Sequence, residues 1–360
     1  MTSVKVLHLI TSLNMGGTER MLLKTIRHLS KEISNIVCCF TVPGKMSSEL
    51  QKQGVEVSYL GYKKLSDLPK VVTNFKRLIQ LYQPDILVTY LIHSDIFGRI
   101  FGRLFKVKTI ICSVRSNLSR SEYFPFFIMD GLTSFLVDKY HFNSRYVSKI
   151  YQKWFLFPKD KFTVIPNSID FEMLASKTPA RLTRKSLGLT GSDLVIGSTA
   201  KLRPGKGHLV LLEAFSRILP RFPSAKLVFV GDGPLKSLIE MKIKELNLTG
   251  KVVMTGDRND VFDLLKTFDI FAQATTFEGM SNSLLEAMAI KLAVVTTDIP
   301  ENRELVTDGI HGLLCRPTPG DFADKLIYLL SNPEFGKNLG QNACQKIKWE
   351  VGSKHIIKQK

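Results

Sequence analysis

Three consecutive stretches in the second half of the chain alternate in character: Ile270-Phe271-Ala272-Gln273, then Ser283-Leu284-Leu285-Glu286-Ala287-Met288-Ala289, then Ala293-Val294-Val295-Thr296. The outer two are short and apolar, which is typical of buried strands. The middle one places apolar residues at helical spacing. A strand, a helix and a second strand in this order form a βαβ unit, so the stretch predicts a parallel sheet covered by helices.

The same alternation continues outward along the chain. Upstream in the second half, the pattern predicts these elements: strands Leu194–Ser198, Lys226–Val230 and Val252–Thr255, and helices His208–Leu219, Leu235–Leu246 and Asp260–Thr267. The first half repeats it with strands Lys5–Ile10, Ile36–Phe40, Val55–Tyr59, Ile86–Tyr90, Thr109–Val114, Lys139–Asn143 and Phe162–Ile165. We therefore predict an α/β protein with two doubly wound parallel-sheet domains.

The domain boundary follows from a stretch without a strand pattern. From Pro166 to about Lys185 the chain is turn-rich and charged. We place a first domain at residues 1–168 and a second at 169–345. Residues 346–360 are basic and helical in character, and we expect this helix to pack back on the first domain.

The composition excludes several classes of protein. The chain has 360 residues, enough for two cores, and 44% hydrophobic with 23% charged residues is typical of globular proteins. Its five cysteines form no CxxC pair and no His/Cys cluster, so we interpret them as core residues of a protein in a reducing compartment. No apolar stretch is long enough to span a membrane, and the N-terminus does not resemble a leader; we expect a cytoplasmic protein.

The net charge of +18 limits the classes of binding partner that we expect. It favours polyanions, anionic lipid headgroups or phosphorylated small molecules. Residues 1–175 carry 24 basic and 13 acidic side chains, against 26 and 19 in residues 176–360. The first half is therefore the more basic.

Two glycine-containing loops follow strands and precede helices. After the first strand comes Asn14-Met15-Gly16-Gly17-Thr18-Glu19-Arg20. Its paired glycines let a ligand approach the backbone before a helix N-terminus, and a plain tight turn is the alternative. In the second half, Lys201, Arg203 and Lys206 follow a strand within six residues. Such cations repel one another unless an anion lies among them, so we expect an anion here in place of a solvated surface.

The most informative loop is Phe277-Glu278-Gly279-Met280-Ser281-Asn282, which opens the helix of the first paragraph. Ser281 or Asn282 caps that helix, and its free N–H groups attract a diphosphate. Glu278 in the loop and Glu286 inside the helix can each accept hydroxyls from groups at the two ends of such a diphosphate, one a sugar and the other a ribose. The alternative is a capped amphipathic helix with an incidental acid.

Glu278 to Glu286 resembles the E-x7-E motif of the retaining glycosyltransferases of family four, which have the two-domain GT-B architecture. Further matches follow in the family's order. They are Gly16-Gly17-Thr18-Glu19 to the GGxE loop, Ile92-His93-Ser94 to the HS element, Val164–Asp170 to the interdomain segment VxPNGVD, Lys201–Gly207 to GRLxxxKG, and Asp298–Glu304 with Asp308–Leu314 to the ending TDxxGxxE…DGxNGLL.

The resemblance implies a role for each matched position. Glu278, Lys206 and Lys201 would be catalytic, with the lysines on the donor diphosphate and Glu278 on the donor sugar. Glu286 would bind the ribose. The other implied donor-binding residues are Gly16, Gly17, Arg203, Gly279, Met280, Ser281, Asn282, Ser283, Leu284 and Arg258. Residues implied to face the acceptor or the sugar are Glu19, His93 and Arg115.

The chain departs from the family at two of these positions. Lys201 stands where the family has arginine, which keeps the charge and loses the bidentate fork. Val114-Arg115-Ser116-Asn117 stands where a His-Gly pair is common, which makes Arg115 the candidate to face the sugar. No DxD motif occurs, so we expect no metal and no cofactor besides the donor itself.

These expectations combine into one functional prediction. It is a metal-independent retaining glycosyltransferase that moves a sugar from a nucleotide-diphosphate donor, UDP favoured and GDP second, to a saccharide or lipid-linked saccharide in polysaccharide or glycoconjugate biosynthesis. Two alternatives stay open: an epimerase of nucleotide sugars on the same fold, and a basic nucleic-acid-binding protein. The second would need basic residues interleaved with exposed aromatics, a pattern that we do not find.

A final expectation concerns the membrane. Basic residues gather between positions 63 and 108, and the aromatic segment Tyr123–Met129 follows them. Basic and partly inserted aromatic residues both favour binding to an anionic leaflet, which predicts a peripheral protein on the cytoplasmic face. The alternative is that Phe124–Met129 forms a buried helix and the lysines are solvated surface.

Overall fold

The computed structural model describes residues 4–14, 16–30, 32–117, 124–155, 159–169, 171, 174 and 179–351. The chain forms two compact units, Met1–Pro166 and Asn167–Lys360. Each unit is built on a parallel sheet with helices, so the predicted α/β class is confirmed. The division falls after Pro166, whereas the sequence analysis placed it after Ser168.

The first unit contains a seven-stranded sheet in the order β3-β2-β1-β4-β5-β6-β7. Its strands are β1 Val4–Ile10, β2 Ile33–Cys39, β3 Glu56–Tyr59, β4 Ile86–Tyr90, β5 Thr109–Val114, β6 Lys139–Phe142 and β7 Phe162–Val164. Its helices are α1 Gly17–His28, α2 Ser47–Lys52, α3 Leu68–Tyr82, α4 Ile92–Leu104, α5 Phe124–Leu132 and α6 Arg145–Phe155, with short 3-10 turns at Leu65–Asp67, Ser134–Leu136 and Lys159–Lys161.

Both faces of this sheet are buried, which explains the continuous apolar runs of its strands. In β2, Ile36 and Cys38 belong to one hydrophobic cluster and Val37 and Cys39 to another. Because side chains along a strand alternate between the two faces, these clusters are the cores above and below the sheet. All five cysteines of the chain are buried and free, which confirms their interpretation as core residues.

The second unit contains a six-stranded sheet in the order β10-β9-β8-β11-β12-β13. Its strands are β8 Leu194–Thr199, β9 Ala225–Val230, β10 Val252–Met254, β11 Ile270–Gln273, β12 Ala293–Thr297 and β13 Leu313–Cys315. Its helices are α7 Ala180–Ser186, α8 His208–Ile218, α9 Lys236–Glu245, α10 Val261–Leu265, α11 Asn282–Ala289, α12 Pro300–Arg303, α13 Pro319–Ser331 and α14 Pro333–Val351.

The end of the chain differs from the prediction. Helix α14 begins at Pro333 and packs on α11 and β12 of the second unit. Near its end, the Nζ of Lys346 donates to the backbone oxygen of Glu304 at 3.2 Å. The prediction that a separate helix begins at residue 346 is therefore wrong. Residues 352–360 lie outside the described residues.

The strand order reverses direction once in each sheet, between β1 and β4 in the first and between β8 and β11 in the second. Ligands of open α/β sheets bind at the carboxyl ends of strands at such a switch point. The loops after these four strands carry most of the predicted site residues. Among the described residues, no helix combines the length and apolarity needed to cross a membrane.

Candidate functional site

The loop after β8 is folded tightly against the end of β11. Gly205 and Gly207 have φ angles of 82° and 70°, a region that favours glycine. A Cβ on Gly207 would lie 2.1 Å from the backbone oxygen of Ala274, so no other residue fits there without a shift. The backbone N–H of Thr276 also donates to the oxygen of Gly205 at 2.9 Å. This packing fixes Lys206 beside the loop that precedes α11.

Lys206 forms an ion pair with Glu278, its Nζ bonding to Oε1 of the carboxylate. Each of the two side chains is 14% exposed. Charges this far removed from water need a partner, and each supplies one for the other. In this structure the carboxylate of Glu278 lies against one of the three cations, and the anionic ligand expected among them stays a prediction.

Lys201 is paired in the same way with a residue that the sequence analysis missed. Its Nζ lies 3.2 Å from both carboxylate oxygens of Asp257. The loop holding Asp257 is joined to the end of β9 by a hydrogen bond from the N–H of Gly231 to the oxygen of Gly256, at 2.9 Å. Only the strand order brings the loop after β10 toward the loop after β8, and strand order is not visible in the sequence.

The two arginines predicted to bind the donor lie differently. The side chain of Arg203 is exposed. Arg258 bonds through Nε and an Nη to the two oxygens of Asp260, at 2.8 and 2.6 Å. Hydrogen bonding to this carboxylate raises the pKa of Arg258. The structure therefore brings Lys206 and Glu278 together, and it pairs Lys201 with Asp257 and Arg258 with Asp260.

The start of α11 is built from hydroxyl and amide groups. Ser281 is the N-cap, its Oγ accepting from the N–H of Leu284 at 3.3 Å, as one of the two predicted capping residues. Gln273, at the end of β11, donates to Oγ of Ser281 at 2.8 Å and of Ser283 at 3.1 Å. The first backbone N–H groups of a helix have no carbonyl partner within the helix, so a helix start is a place where an anion can bind.

The rest of the E-x7-E segment frames this helix start. Gly279 and Met280 are buried in the loop before the cap. Nδ2 of Asn167 donates to the oxygen of Met280 at 3.0 Å and to Oδ1 of Asn282 at 2.7 Å, so the chain leaving the first unit supports the loop. Glu286 is half-buried inside α11, on the opposite side of the cap from Glu278 in sequence.

His208, the first residue of α8, is a further buried polar group beside this loop. It is 2% exposed, and its ring meets that of Phe229 edge-on at 5.2 Å between centroids. Burial, with the neighbouring charge of Lys206, lowers the pKa of His208 to about 4. The imidazole is therefore neutral at physiological pH and adds no positive charge to the two lysines.

In the first unit, Glu19 folds back over its own glycine loop. The carboxylate lies directly against Gly16, where an added Cβ would be 2.3 Å from Oε2 of Glu19. Oγ of Ser12 donates to Oε1 of Glu19 at 3.3 Å, and the carboxylate is buried. Gly17 begins α1 directly after this turn. The first turn of α1 thus carries a buried carboxylate beside Gly16, and ligand binding at the paired glycines stays a prediction.

The loops after β1 and β4 are joined by hydroxyl groups. Oγ1 of Thr11 and Oγ of Ser94 lie 2.9 Å apart, and the N–H of Ser94 donates to Thr11. The neighbouring His93 is exposed, with its ring edge-on to Phe126 at 5.0 Å. Partial desolvation lowers the pKa of His93.

Arg115 follows β5 at the same edge of the first sheet. Its guanidinium is half-buried, and desolvation lowers the pKa to about 10, against the raising effect of Tyr90. The hydroxyl of Tyr90 lies 3.2 Å from Nδ1 of the buried His8. Arg115 remains a cation at neutral pH.

Comparisons with known proteins agree with this architecture. Residues 180–346 match the family model described as Glycosyl transferases group 1, and residues 15–173 match Glycosyltransferase Family 4. A crystal structure of HepE from Anabaena in complex with UDP-glucose superposes with a TM-score of 0.88 over 99% of this chain and 97% of that one, at 20% identity. At that identity the likeness shows the fold, GT-B.

Two characterised relatives extend over most of the chain. One is N-acetylgalactosamine-N,N'-diacetylbacillosaminyl-diphospho-undecaprenol 4-alpha-N-acetylgalactosaminyltransferase of Campylobacter jejuni, 29% identical over 85% of this chain and 84% of that protein. The other is UDP-Gal:alpha-D-GlcNAc-diphosphoundecaprenol alpha-1,3-galactosyltransferase of Escherichia coli, 24% identical over 99% of this chain and 95% of its length.

The two-sheet fold and the charged loops around α11 define a glycosyltransferase that uses a nucleotide sugar. The chain belongs to the group 1 glycosyltransferases, and the predicted family is confirmed. This membership decides for glycosyl transfer over the epimerase and nucleic-acid-binding alternatives.

Proposed function

We propose that this enzyme transfers a sugar from a UDP-sugar to a lipid-linked saccharide, with retention of configuration and without a metal. The observation that carries the proposal is a pair of lysines in the loop after β8, at the switch point of the second sheet. Lys201 is held by Asp257, and Lys206 is held by Glu278 in the loop before the capped start of α11. Two cations and a helix N-terminus suit a diphosphate.

The ion pairs suggest how the donor enters. A diphosphate competes with Glu278 for Lys206 and with Asp257 for Lys201, because phosphate oxygens are strong acceptors for ammonium groups. Displacement from Lys206 frees the carboxylate of Glu278 to accept hydroxyls of the donor sugar. Glu286, farther along α11, accepts from the ribose.

The same groups serve the reaction. The bond between the anomeric carbon and the diphosphate oxygen breaks, and the acceptor oxygen forms its bond to that carbon on the same face. The proton of the acceptor hydroxyl passes to the departing phosphate oxygen. Charge grows on the diphosphate, and Lys201, Lys206 and the N–H groups of α11 stabilise it.

UDP is favoured over GDP by the relatives. The galactosyltransferase of E. coli is named for UDP-Gal, and HepE was crystallised with UDP-glucose. The relatives from C. jejuni and E. coli are both named for acceptors joined to undecaprenol through a diphosphate. We extend this acceptor class to the present enzyme, with Glu19, His93 and Arg115 on the acceptor side, and place its reaction at the cytoplasmic face of a membrane.

A thermal-shift screen with UDP, GDP and their sugars tests the donor. A ligand at about 100 times its dissociation constant stabilises the native state by about 2.7 kcal/mol. Stabilisation by UDP compounds supports the proposal, and stabilisation by GDP compounds alone contradicts it.

Transfer in excess chelator tests the metal-free mechanism, because lysines and N–H groups need no ion to hold the leaving group. Full activity is expected. Loss in chelator that Mg²⁺ or Mn²⁺ restores would contradict the mechanism. The anomeric configuration of the product, read by NMR coupling constants, tests retention in the same reaction.

A further inference from the structure

We propose that the first unit binds an anionic lipid bilayer through one surface, formed by α4, α5, α6 and the 3-10 turn Ser134–Leu136. This inference rests on the lipid-linked acceptor proposed above, since it names the surface that brings the enzyme to its substrate. We call it the apolar ridge. Its exposed side chains are Ile100, Leu104, Phe124, Ile128, Met129, Leu132, Phe135 and Trp154.

The exposure on this ridge is large for apolar residues. Leu104 is 64% exposed, Leu132 72%, Phe135 75% and Trp154 53%. Single exposed apolar residues are ordinary, but several on neighbouring elements mark an interaction surface. Within the aromatic segment Tyr123–Met129, Phe127 is fully buried and packs on Tyr151, whereas Phe124, Ile128 and Met129 are exposed. Tyr123 lies outside the described residues.

Contacts along the elements show that the exposed residues are neighbours. Helix α5 runs beside α4 in the same direction: Phe126 meets His93, and Asp130 pairs with Arg99 one to two turns later. Farther along, Nε of Arg103 donates to the oxygen of Leu136 at 2.9 Å. On the other side of α5, the rings of Phe124 and Trp154 lie 5.9 Å apart.

A buried ion pair holds α5 in place. Arg99 is fully buried and bonds to Asp130, and the hydroxyl of Tyr151 donates to the other oxygen of that carboxylate at 2.7 Å. One face of α5 is therefore fixed to the core. The opposite face, with Met129 and Leu132, points away from it. The ridge is a formed surface, so binding costs little ordering of the chain.

The cations beside the apolar ridge favour an anionic bilayer as its binding partner. Helix α6 exposes Arg145, Lys149 and Lys153 at intervals of four residues, which puts them on one face next to Trp154. Lys106 and Lys108 are exposed just after Leu104. In the described part of α4, α5 and α6, the carboxylates are Asp95 and Asp130, and both are buried. Apolar side chains flanked by cations suit the interface of an anionic leaflet.

The position of the ridge fits a lipid-linked acceptor. Its upper end is at His93, which begins α4 at the carboxyl edge of the first sheet. The lower end is at Leu104 and Phe135. A lipid held at the ridge therefore starts beside the residues assigned to the acceptor.

Flotation with vesicles tests the ridge. The full-length enzyme is mixed with vesicles of phosphatidylcholine alone or with increasing phosphatidylglycerol, at low and high salt. Leu132→Glu with Phe135→Glu removes apolar contact, and Leu81→Glu is the matched control, since Leu81 on α3 is 73% exposed. We expect wild type to bind more as phosphatidylglycerol rises, the ridge variant to bind at least tenfold less, and Leu81→Glu to bind as wild type.

Lys149→Glu with Lys153→Glu tests the charge, with Lys337→Glu on α14 as control. Each basic residue near an anionic surface is worth about fivefold in binding, so the double reversal should lower it by more than tenfold and the control should not. Wild type that stays unbound at every lipid composition in low salt overturns the inference, as does equal loss in Leu81→Glu.

Two readouts separate this inference from the proposed function. Transfer to a short, water-soluble acceptor should be unchanged in the ridge variants, while transfer to acceptor embedded in vesicles falls with binding. If wild type does not transfer sugar to the soluble acceptor, the proposed acceptor class is wrong. The flotation result then still decides, independently, whether the ridge binds a bilayer. Sedimentation velocity tests whether a second copy of the chain occupies the ridge instead. If wild type is a dimer, the ridge variant is a monomer and lipid has no effect on either, the inference of bilayer binding is wrong.

Discussion

The two switch points are built from different kinds of groups. In the second unit, Lys201 and Lys206 of the loop after β8 are each bound to a carboxylate. In the first unit, the loops after β1 and β4 meet through the hydroxyls of Thr11 and Ser94, and Glu19 is buried against its own loop. We call the edge of the second sheet, with its two lysine–carboxylate pairs, the paired edge. We call the edge of the first sheet the neutral edge, because its loops meet through hydroxyl groups, although it also carries Glu19 and Arg115.

The difference follows from the ligands that the edges are proposed to bind. A diphosphate demands fixed positive charge, and fixed charge in a partly buried place demands a counterion when the ligand is absent. A saccharide acceptor asks for hydroxyls and a few directional contacts, which many residue types supply. The paired edge is therefore recognisable as a motif, and the neutral edge is not.

The largest effect should come from the lysines. Lys206→Ala and Lys201→Ala each remove one preorganised contact to the leaving group, and we expect kcat to fall by about 10²–10³ in variants that remain folded. Steady-state kinetics at saturating donor measure it. Lys337→Ala, which removes an exposed pair with Glu334, is the control. Wild-type turnover in either variant would remove that lysine from the mechanism.

The two glutamates should differ in kind. Glu278→Gln should lower kcat by about 100-fold, because its carboxylate faces the sugar, whereas Glu286→Gln should weaken UDP binding by about tenfold with less effect on kcat. Calorimetry with UDP and single-turnover rates separate the two. An equal loss of UDP affinity in both variants would mean that the glutamates share one role.

The neutral edge should affect the acceptor alone. Arg115→Gln removes a half-buried cation with a pKa of about 10, and we expect the acceptor KM to rise by about tenfold while the donor KM is unchanged. Arg27→Gln, an exposed arginine at the end of α1, is the control. A rise in the donor KM would instead place Arg115 with the donor.

The smallest effect concerns pH and stability. Desolvation raises the pKa of Asp95, behind the neutral edge on α4, from 3.8 to about 7. The folded state then binds this proton more tightly than the unfolded state, so stability falls as pH rises from about 4 to 7 and is level above. The melting temperature of Asp95→Asn, measured relative to wild type at the same pH, should therefore be a few degrees higher at pH 8 than at pH 5, at about 2–4 °C per kcal/mol.

Thermal unfolding of wild type and variant at the two pH values measures this, with Asp67→Asn as control. Hydrogen bonds from the backbone of Lys64 and Lys63 lower the pKa of Asp67. Asp67→Asn should therefore not gain stability relative to wild type between pH 5 and pH 8. An Asp95→Asn variant that loses stability equally at both pH values would show that the carboxylate is ionised in the fold.

Most strands could be predicted because their sheets are buried on both faces. Runs such as Ile86–Tyr90 and Thr109–Val114 have no polar alternation to confuse them with surface. β13, Leu313–Cys315, is too short for any periodicity and was missed. The loop and helix of Glu278 were predictable because capping and carboxylate spacing are local properties.

Long-range pairs were out of reach. Asp257 meets Lys201 only because β10 and β8 flank β9, an order that the sequence does not contain. Arg99 looks like the solvated side of an amphipathic helix, and its burial with Asp130 depends on α5 lying over it. Local pattern thus gives the elements, whereas their partners come from packing.

The buried thiols allow the opening of each unit to be followed separately. Cys38, Cys39 and Cys112 belong to the first unit and Cys315 and Cys344 to the second, and every one is shielded from solvent. A thiol reagent reaches them only when the surrounding structure opens. Mass spectrometry of the labelled peptides therefore reports the opening rate of the two units separately, in the unmodified enzyme, with no introduced probe. Addition of a UDP-sugar should slow the labelling of the second pair first.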